Sequence, residues 1–485
     1  MEGARRRLGE RDWPAGVLSA ARSATDPLHP FGVPLPQGGR KAGAKAAIAL
    51  PPAEPSAETQ SRPWPLAARL AFRFCFVYFS LFCLTTQVLD GLIQIPKVGI
   101  PELYTLPPIK PIVEWTAHHV FLIATPLVET DSGSGDKIFD WITCVLYLAV
   151  AGLAALIWSV LDRKRLRYDA FAKWFRLFLR FALAGQMMLY GFDKIFPMQM
   201  SLQLQTFLEP YGHLSPASVL WWFIGSSPAY EIVCGSVEFL CAVLLIVPRT
   251  ALLGSLLTAG VAAQIFILNM TYDIPVKLLS FHLMLIALFL AAPEFSRISR
   301  FFLGRAAVEP SRQPSLFRSS RANRVALWAQ IVFGLWLIGN TIYGSYTEWF
   351  QYGGGAPKSA LYGIWNVDKL VIDNHERSPL LGDYGRWRYL IFDYPKGLNY
   401  QRMDDSFGGF DAEIDTKTQT IALTKEDDKK WKGNLHYQRP TPDHLTLDGS
   451  LGPQSMHLDL TLVDHSKLML VSRGFHWVQE YPFYR

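Results

Sequence analysis

Residues 139–161 read FDWITCVLYLAVAGLAALIWSVL. An α-helix rises about 1.5 Å per residue, so roughly 20 mostly apolar residues cross about 30 Å of hydrocarbon, and this run is long enough. Applied outward in both directions, the same test finds six further runs, at about 66–88, 171–192, 228–247, 251–270, 275–292 and 323–345. Seven spans predict an α-helical polytopic membrane bundle over 66–345, with the lipid bilayer as its first partner. The composition agrees, since only 18% of the chain is charged against roughly 25% in soluble domains. HHVFLIATPLV (118–128) and the Trp-rich SVLWWFIG (218–225) are too short to cross and are expected along the interface.

The net charge of +6 does not point to nucleic acid. Lys and Arg fall in short clusters between apolar runs, with no basic face interleaved with aromatics, which is how topology signals look. The cysteines, Cys75, Cys83, Cys144, Cys234 and Cys241, all lie in apolar runs without a CxxC pair and read as buried small hydrophobes. Residues 1–65, rich in Pro, Gly, Ala and Arg, show no hydrophobic period and are expected to be disordered. Nothing before residue 66 has the apolar core of a secretory signal, and a translation start downstream of Met1 would fit this composition.

Basic loops stay on the cytoplasmic side. DRKRLR (162–167) and the arginine-rich connector 297–324 therefore predict a protein of the cell (inner) membrane with its N-terminus inside. Loops 89–137, 193–218 and 271–274, and the C-terminal section, are then extracytoplasmic. In this topology polar residues of four helices gather in the outer half of the bundle: Gln186, Tyr190, Asp193, Lys194, Glu231, Glu238, Gln264, Asn269, Asp273, Lys277 and His282. Asp273, two residues before Pro275, reads as a helix N-cap. Lys277 follows at i+4 and can snorkel to the interface, and Glu231 sits in a first turn where the helix dipole suits it. Glu238 and His282 are harder to explain. They are expected about 15 Å and about 10 Å deep on neighbouring helices, where an ionisable side chain is costly unless paired and is by default a functional candidate. The imidazole is expected to hydrogen-bond the protonated carboxyl or to hold it ionised.

At Gly191 and Lys194, and at Gly235 and Glu238 within GSVEFLCAVLLIVP, the chain resembles the DoxX-like family of small four-helix membrane proteins over about 170–293. The resemblance implies a helical membrane core, and some members are associated with quinone-linked membrane oxidoreductases. The chain departs from the minimal family in having extra spans at both ends and an extra domain.

A Gly-rich linker (346–360) leads to 361–485, where short alternating runs separated by turn residues replace the apolar spans. GIWNVDKLVI, WRYLIF, LNYQRM, FDAEID, TQTIALT, KGNLHYQ, HLTLDG, SMHLDLTLV and KLMLVSR predict a closed antiparallel β-barrel or a sandwich. The opening Gly363 and Trp365 resemble the Gly-x-Trp start of lipocalin-like barrels, and the resemblance makes Arg473 the residue expected to cover that Trp. Such a barrel either fills with side chains, for a structural or docking role, or holds one small ligand. His436, His444, His457, His465 and His476 lack metal-ligand spacing, so no metal is expected.

No flavin or nicotinamide fingerprint, haem-ligand pair or complete reaction centre is visible, and whether the chain is an enzyme stays open. The reading that results is a protein that binds a lipid-soluble ligand, or scaffolds other membrane or envelope proteins, through an outer-half pocket. The candidate residues are Glu238, His282, Lys277, Asp273, Lys194, Glu231, Gln186 and Tyr190. The alternative is the membrane subunit of a quinone-linked oxidoreductase, with electrons arriving from a partner. A proton-coupled transporter ranks third, since neither inverted repeats nor broken helices are evident.

Overall fold

A computed structural model of the chain describes residues 63–95, 99–129, 132–304, 314–425, 427–428 and 430–483. Nearly all of the N-terminal segment expected to be disordered lies outside the described residues. The helical part begins with α1 (Leu66–Thr85), α2 (Val88–Ile93), α3 (Ile109–His119), α4 (Ile138–Leu161) and α5 (Asp169–Ile195). It continues with α6 (Pro216–Gly225), α7 (Pro228–Ile246), α8 (Ala251–Thr271), α9 (Lys277–Ala291), α10 (Phe295–Phe302) and α11 (Ser320–Tyr352). Local chemistry sets several of these ends. Ser215 accepts a hydrogen bond from Ser218 N at 3.1 Å and Pro216 occupies the first turn of α6, while Ser319 caps α11 by accepting from Ala322 N.

Among the described residues, six helical stretches have the length and apolar composition to cross a membrane, and the chain is a multi-pass membrane protein. The expected third span is helical but is not one of the six, because Lys173, Arg176, Arg180, Asp193 and Lys194 dilute its apolar character. Its 27 residues still extend for about 40 Å. It packs against α2, α7, α9 and α11, so protein rather than lipid meets most of its polar groups. Two boundaries also moved. The last span runs on to Tyr352, through the start of the expected linker, and HHVFLIATPLV is helical only at its first two residues, where α3 ends.

Side chains such as Phe79, Phe82, Leu179, Leu183, Leu245 and Ile286 form the bundle core. α5 and α7 approach so closely that a Cβ at Gly235 would lie 2.4 Å from Gly191 O. Small residues at such a crossing let two backbones touch, and the contact sets Lys194, three residues beyond Gly191, beside Glu238, three residues beyond Gly235.

The C-terminal part forms β1 (Gly363–Ile372), β2 (His375–Glu376), β3 (Trp387–Phe392), β4 (Gly397–Arg402), β5 (Phe407–Asp415), β6 (Thr420–Thr424), β7 (Lys432–Thr441), β8 (His444–Leu451) and β9 (Gln454–Val463). All neighbours are antiparallel. β1 pairs with both β3 and β9, from Ile364↔Val463 to Ile372↔Met456, which closes an eight-stranded barrel with the two-residue β2 attached to β1. Trp365, Leu370, Leu390, Phe392, Leu423, Leu447 and Leu458 pack together as its core, so the interior is filled by side chains. Gly363 has φ +146°, a backbone conformation that favours glycine. Trp365 is fully buried and its indole donates to Leu361 O at 2.9 Å.

Two expectations for this unit fail. The guanidinium over Trp365 belongs to Arg439, 5.3 Å from the ring, whereas Arg473 lies over Phe483 and donates to Gln479. KLMLVSR is not a ninth barrel strand but a 3-10 turn (His465–Lys467) followed by the short helix α12 (Met469–Ser472).

The barrel rests on a 3-10 turn of the α5–α6 connection, Leu204–Leu208. Leu204 is buried against Ile364 and Ile391. Its amide donates to Asp393 at 2.8 Å, and Gln401 donates to Leu208 O at 3.1 Å.

Candidate functional site

The polar residues singled out in the sequence separate into an internal network, an aromatic pair and a helix cap. In the network, Lys194 Nζ lies 2.9 Å from Glu238 Oε2 with both side chains buried. The same amine donates to Tyr190 O at 3.2 Å. The Tyr190 hydroxyl donates to Gln87 Oε1 at 3.4 Å, and Gln186 Nε2 donates to Gln87 O at 3.0 Å. Gln87, at the start of α2, was not anticipated. It has no charge or periodicity to mark it, and its role appears only when α2 folds onto α5, with Gly91 against Gly185. Glu231 is buried and accepts from Met200 N at 3.1 Å, so it fixes the chain leaving α5 as well as sitting in the first turn of α7.

The expected Glu238–His282 pair is not formed. His282 Nε2 lies 2.6 Å from the Tyr78 hydroxyl, and its Nδ1 lies 2.6 Å from Leu278 O. A carbonyl only accepts, so Nδ1 carries the hydrogen, and in the neutral ring Nε2 accepts the phenol proton. The imidazole also stacks on Phe82 with ring centres 3.9 Å apart. Glu238 already has its partner on α5.

Asp273 does not cap α9. It is exposed, with φ +52°, and pairs with Lys277 at 3.0 Å. The cap comes from Asp136, whose carboxylate accepts from Lys277 N at 2.8 Å and Leu278 N at 2.9 Å and also lies 3.7 Å from the Lys277 amine. Gly135 N donates to Pro275 O at 2.8 Å, which stitches the two segments together. No local signal marks Asp136, because the amides it serves lie on a helix far along the chain.

A cavity of about 550 Å³ opens between α1, α4, α5, α9 and the 99–137 segment. Phe82, Tyr147 and Leu279 are among its apolar and aromatic lining residues, and Gln87, Glu102, Glu129, Lys137 and Asp140 are among its polar ones. Asp140 accepts from Tyr104 Oη at 2.8 Å and from Lys137 N at 2.9 Å, and lies 3.1 Å from the Lys137 amine. Burial and the nearby Asp140 carboxylate raise the Tyr104 phenol well above its ordinary range. Tyr190 and Gln87 also line the cavity, linking it to the Lys194–Glu238 network, and Phe82 separates it from the Tyr78–His282 pair. The lining sets hydrogen-bond donors and acceptors beside apolar and aromatic side chains, which suits a ligand with a polar head and an apolar body. Among the described residues no group of three His, Cys, Asp or Glu is placed to hold a metal ion.

No family model matches the chain, and no solved structure matches it. Among curated proteins it matches the uncharacterized protein YwoB of Bacillus subtilis (strain 168), with 33% identity over 150 residues, covering 29% of this chain and 85% of that protein.

Proposed function

The chain belongs to the family of that Bacillus subtilis protein, whose designation carries no activity to transfer, and we propose from the site itself that it binds a lipid-soluble ligand in the cavity between α1, α4, α5 and α9. The observation that carries this reading is one space of about 550 Å³ lined both by Phe82, Tyr147 and Leu279 and by the polar groups of Gln87, Glu102, Lys137 and Asp140. The basic loop 162–167 lies at the opposite end of the bundle, which supports an extracytoplasmic cavity and an inner-membrane protein with its N-terminus inside. Lys194 and Glu238, at the positions of the DoxX-like resemblance, hold the α5 wall of the cavity in place through Tyr190.

The test is mass spectrometry of small molecules that copurify with the full chain in mild detergent, comparing wild type with Cys144→Phe, which adds bulk at the cavity lining, and Gln87→Ala. A lipid-soluble compound should be retained by the wild type and depleted in both variants. Equal retention in all three would sink the reading.

One observation favours a second reading, a membrane subunit of a quinone-linked oxidoreductase: the phenol–imidazole hydrogen bond of Tyr78 and His282 immediately behind Phe82. A quinone would supply the redox chemistry when bound. Gln87 and Tyr190 would orient it, and the Tyr78–His282 pair would hold a proton near it. A quinone among the copurifying compounds separates this reading from binding of a redox-inactive lipid.

A further inference from the structure

A second cavity, of about 280 Å³, lies at the other end of the bundle between α5, α8, the end of α9 and α11. Lys173, Arg176 and Arg180 line it, spaced so that they share one face of α5. No carboxylate is among the described lining residues, and the three cations donate hydrogen bonds to uncharged groups. Lys173 donates to Ser315 O at 2.8 Å, and Arg176 Nη2 donates to Leu290 O at 3.0 Å. Arg180 donates to Leu245 O and Ile246 O at 2.9 and 2.8 Å and to Gln330 Oε1 at 3.3 Å. Glu294, just beyond α9, is engaged by Arg297 at 2.9 Å, and although its charge is also felt by Arg176, this one carboxylate is balanced by the added Arg297 cation.

Part of this has a purely structural explanation. Arg180 and Arg176 serve the C-terminal carbonyls of α7 and α9, and each helix end contributes about half a negative charge. Three cations against two such ends leave an excess of about two positive charges in a partly buried site, and an uncompensated charge there is costly. We propose that this cleft binds a net-negative phosphate group, presented by a membrane phospholipid, with Lys173, Arg176 and Arg180 around the phosphate. Leu177, Leu252 and Leu327 supply the apolar lining for the adjoining chain. α8 and α11, which flank the cleft, are two of the six helices of membrane-spanning length, so an acyl chain has a wall to lie against. Basic pockets between spanning helices recognise anionic headgroups by this combination of charge and apolar support.

The experiment is native mass spectrometry of the full chain in neutral detergent, titrated with dioleoylphosphatidylglycerol, dioleoylphosphatidylcholine or inorganic phosphate. Phosphatidylglycerol should survive activation that strips phosphatidylcholine. Lys173→Gln and Arg176→Gln should each weaken its binding about fivefold, while Arg176→Lys should restore most of it. Arg180 is left intact because it also closes α7, and the thermal stability of each variant is checked in the same detergent. Retention of inorganic phosphate in preference to phosphatidylglycerol keeps the anion site but assigns its ligand to the soluble phase. Equal retention of the two lipids, without phosphate binding, overturns the proposal, as does undiminished phosphatidylglycerol binding in both charge-removing variants.

Discussion

At the scale of single residues, the Lys194–Glu238 pair fixes what a substitution will do. A buried pair offsets its own desolvation, so losing one partner is worse than losing both. Glu238→Leu should destabilise the protein by about 3 kcal/mol, whereas combining it with Lys194→Met should cost less than either single change. Thermal unfolding of all four proteins in one detergent measures this cycle, and additive losses would show that the ion pair is not coupled. A second residue-scale outcome concerns pH. His457 donates to Asp448 at 2.6 Å and faces Asp459 at 3.4 Å, and the Asp448 hydrogen bond holds the imidazole above its ordinary value. With the folded value raised, the stabilisation is complete below about pH 6.5 and fades as pH rises through the folded value. Asp448→Asn should flatten that dependence in melts of the full chain, and an unchanged pH profile would show that Asp448 is not its source. Depth alone made Glu238 and His282 visible in the sequence as residues needing partners. Their partners, Lys194 and Tyr78, were not assigned, because pairing depends on which helices touch, and the Gly191–Gly235 crossing gives Glu238 to α5 before His282 can reach it.

Among the elements, β1 and β3 were legible to the residue, since a short run rich in β-branched and aromatic residues between turn residues needs no distant information. KLMLVSR is likewise a short apolar run bounded by polar residues, but it forms the end of a 3-10 turn and a short helix. β1 and β9 are already paired, so no barrel edge remains for it, and Leu and Met suit a helix well enough once a sheet is closed to them. α5 shows the opposite limit: the run at 171–192 was legible as a span-length helix, yet its charged residues set it apart from the six apolar helices, and neighbours rather than lipid satisfy its polar groups. The start of α9 was misread for a third reason, since proximity to Pro275 favoured Asp273 while the carboxylate that reaches the free amides is Asp136. Removing it in Asp136→Ala should cost about 1 kcal/mol, as loss of a helix N-cap does. The change should appear as faster hydrogen exchange at the amides of Lys277 and Leu278, with Asp273→Ala leaving those amides protected. The reverse pattern would restore the local cap.

For the whole molecule, the described lining of the cavity between α1, α4, α5 and α9 contains no barrel residue. The barrel docks instead on Leu204–Leu208, through a buried aliphatic contact and the Asp393 carboxylate. That geometry depends on a 3-10 turn too short and irregular to leave a periodic signal in the sequence. Burial raises the Asp393 carboxyl above its ordinary value, and the Leu204 amide acts against that rise. Asp393→Ala leaves the amide without its acceptor, so docking should weaken by about 1–3 kcal/mol and the 199–210 segment should become more susceptible to limited proteolysis. Asp393→Asn, which keeps an acceptor, should change it less, and equal cleavage of wild type and Asp393→Ala would place the docking energy elsewhere. The β1–β9 pairing has a further consequence for a protein confined to two dimensions. Copies tethered at one height in a crowded membrane meet repeatedly in similar orientations, the situation in which an open sheet seeds end-to-end polymers. A sheet joined into a ring withholds its main chain from such growth, so neighbouring molecules must recognise this unit chiefly by its side chains.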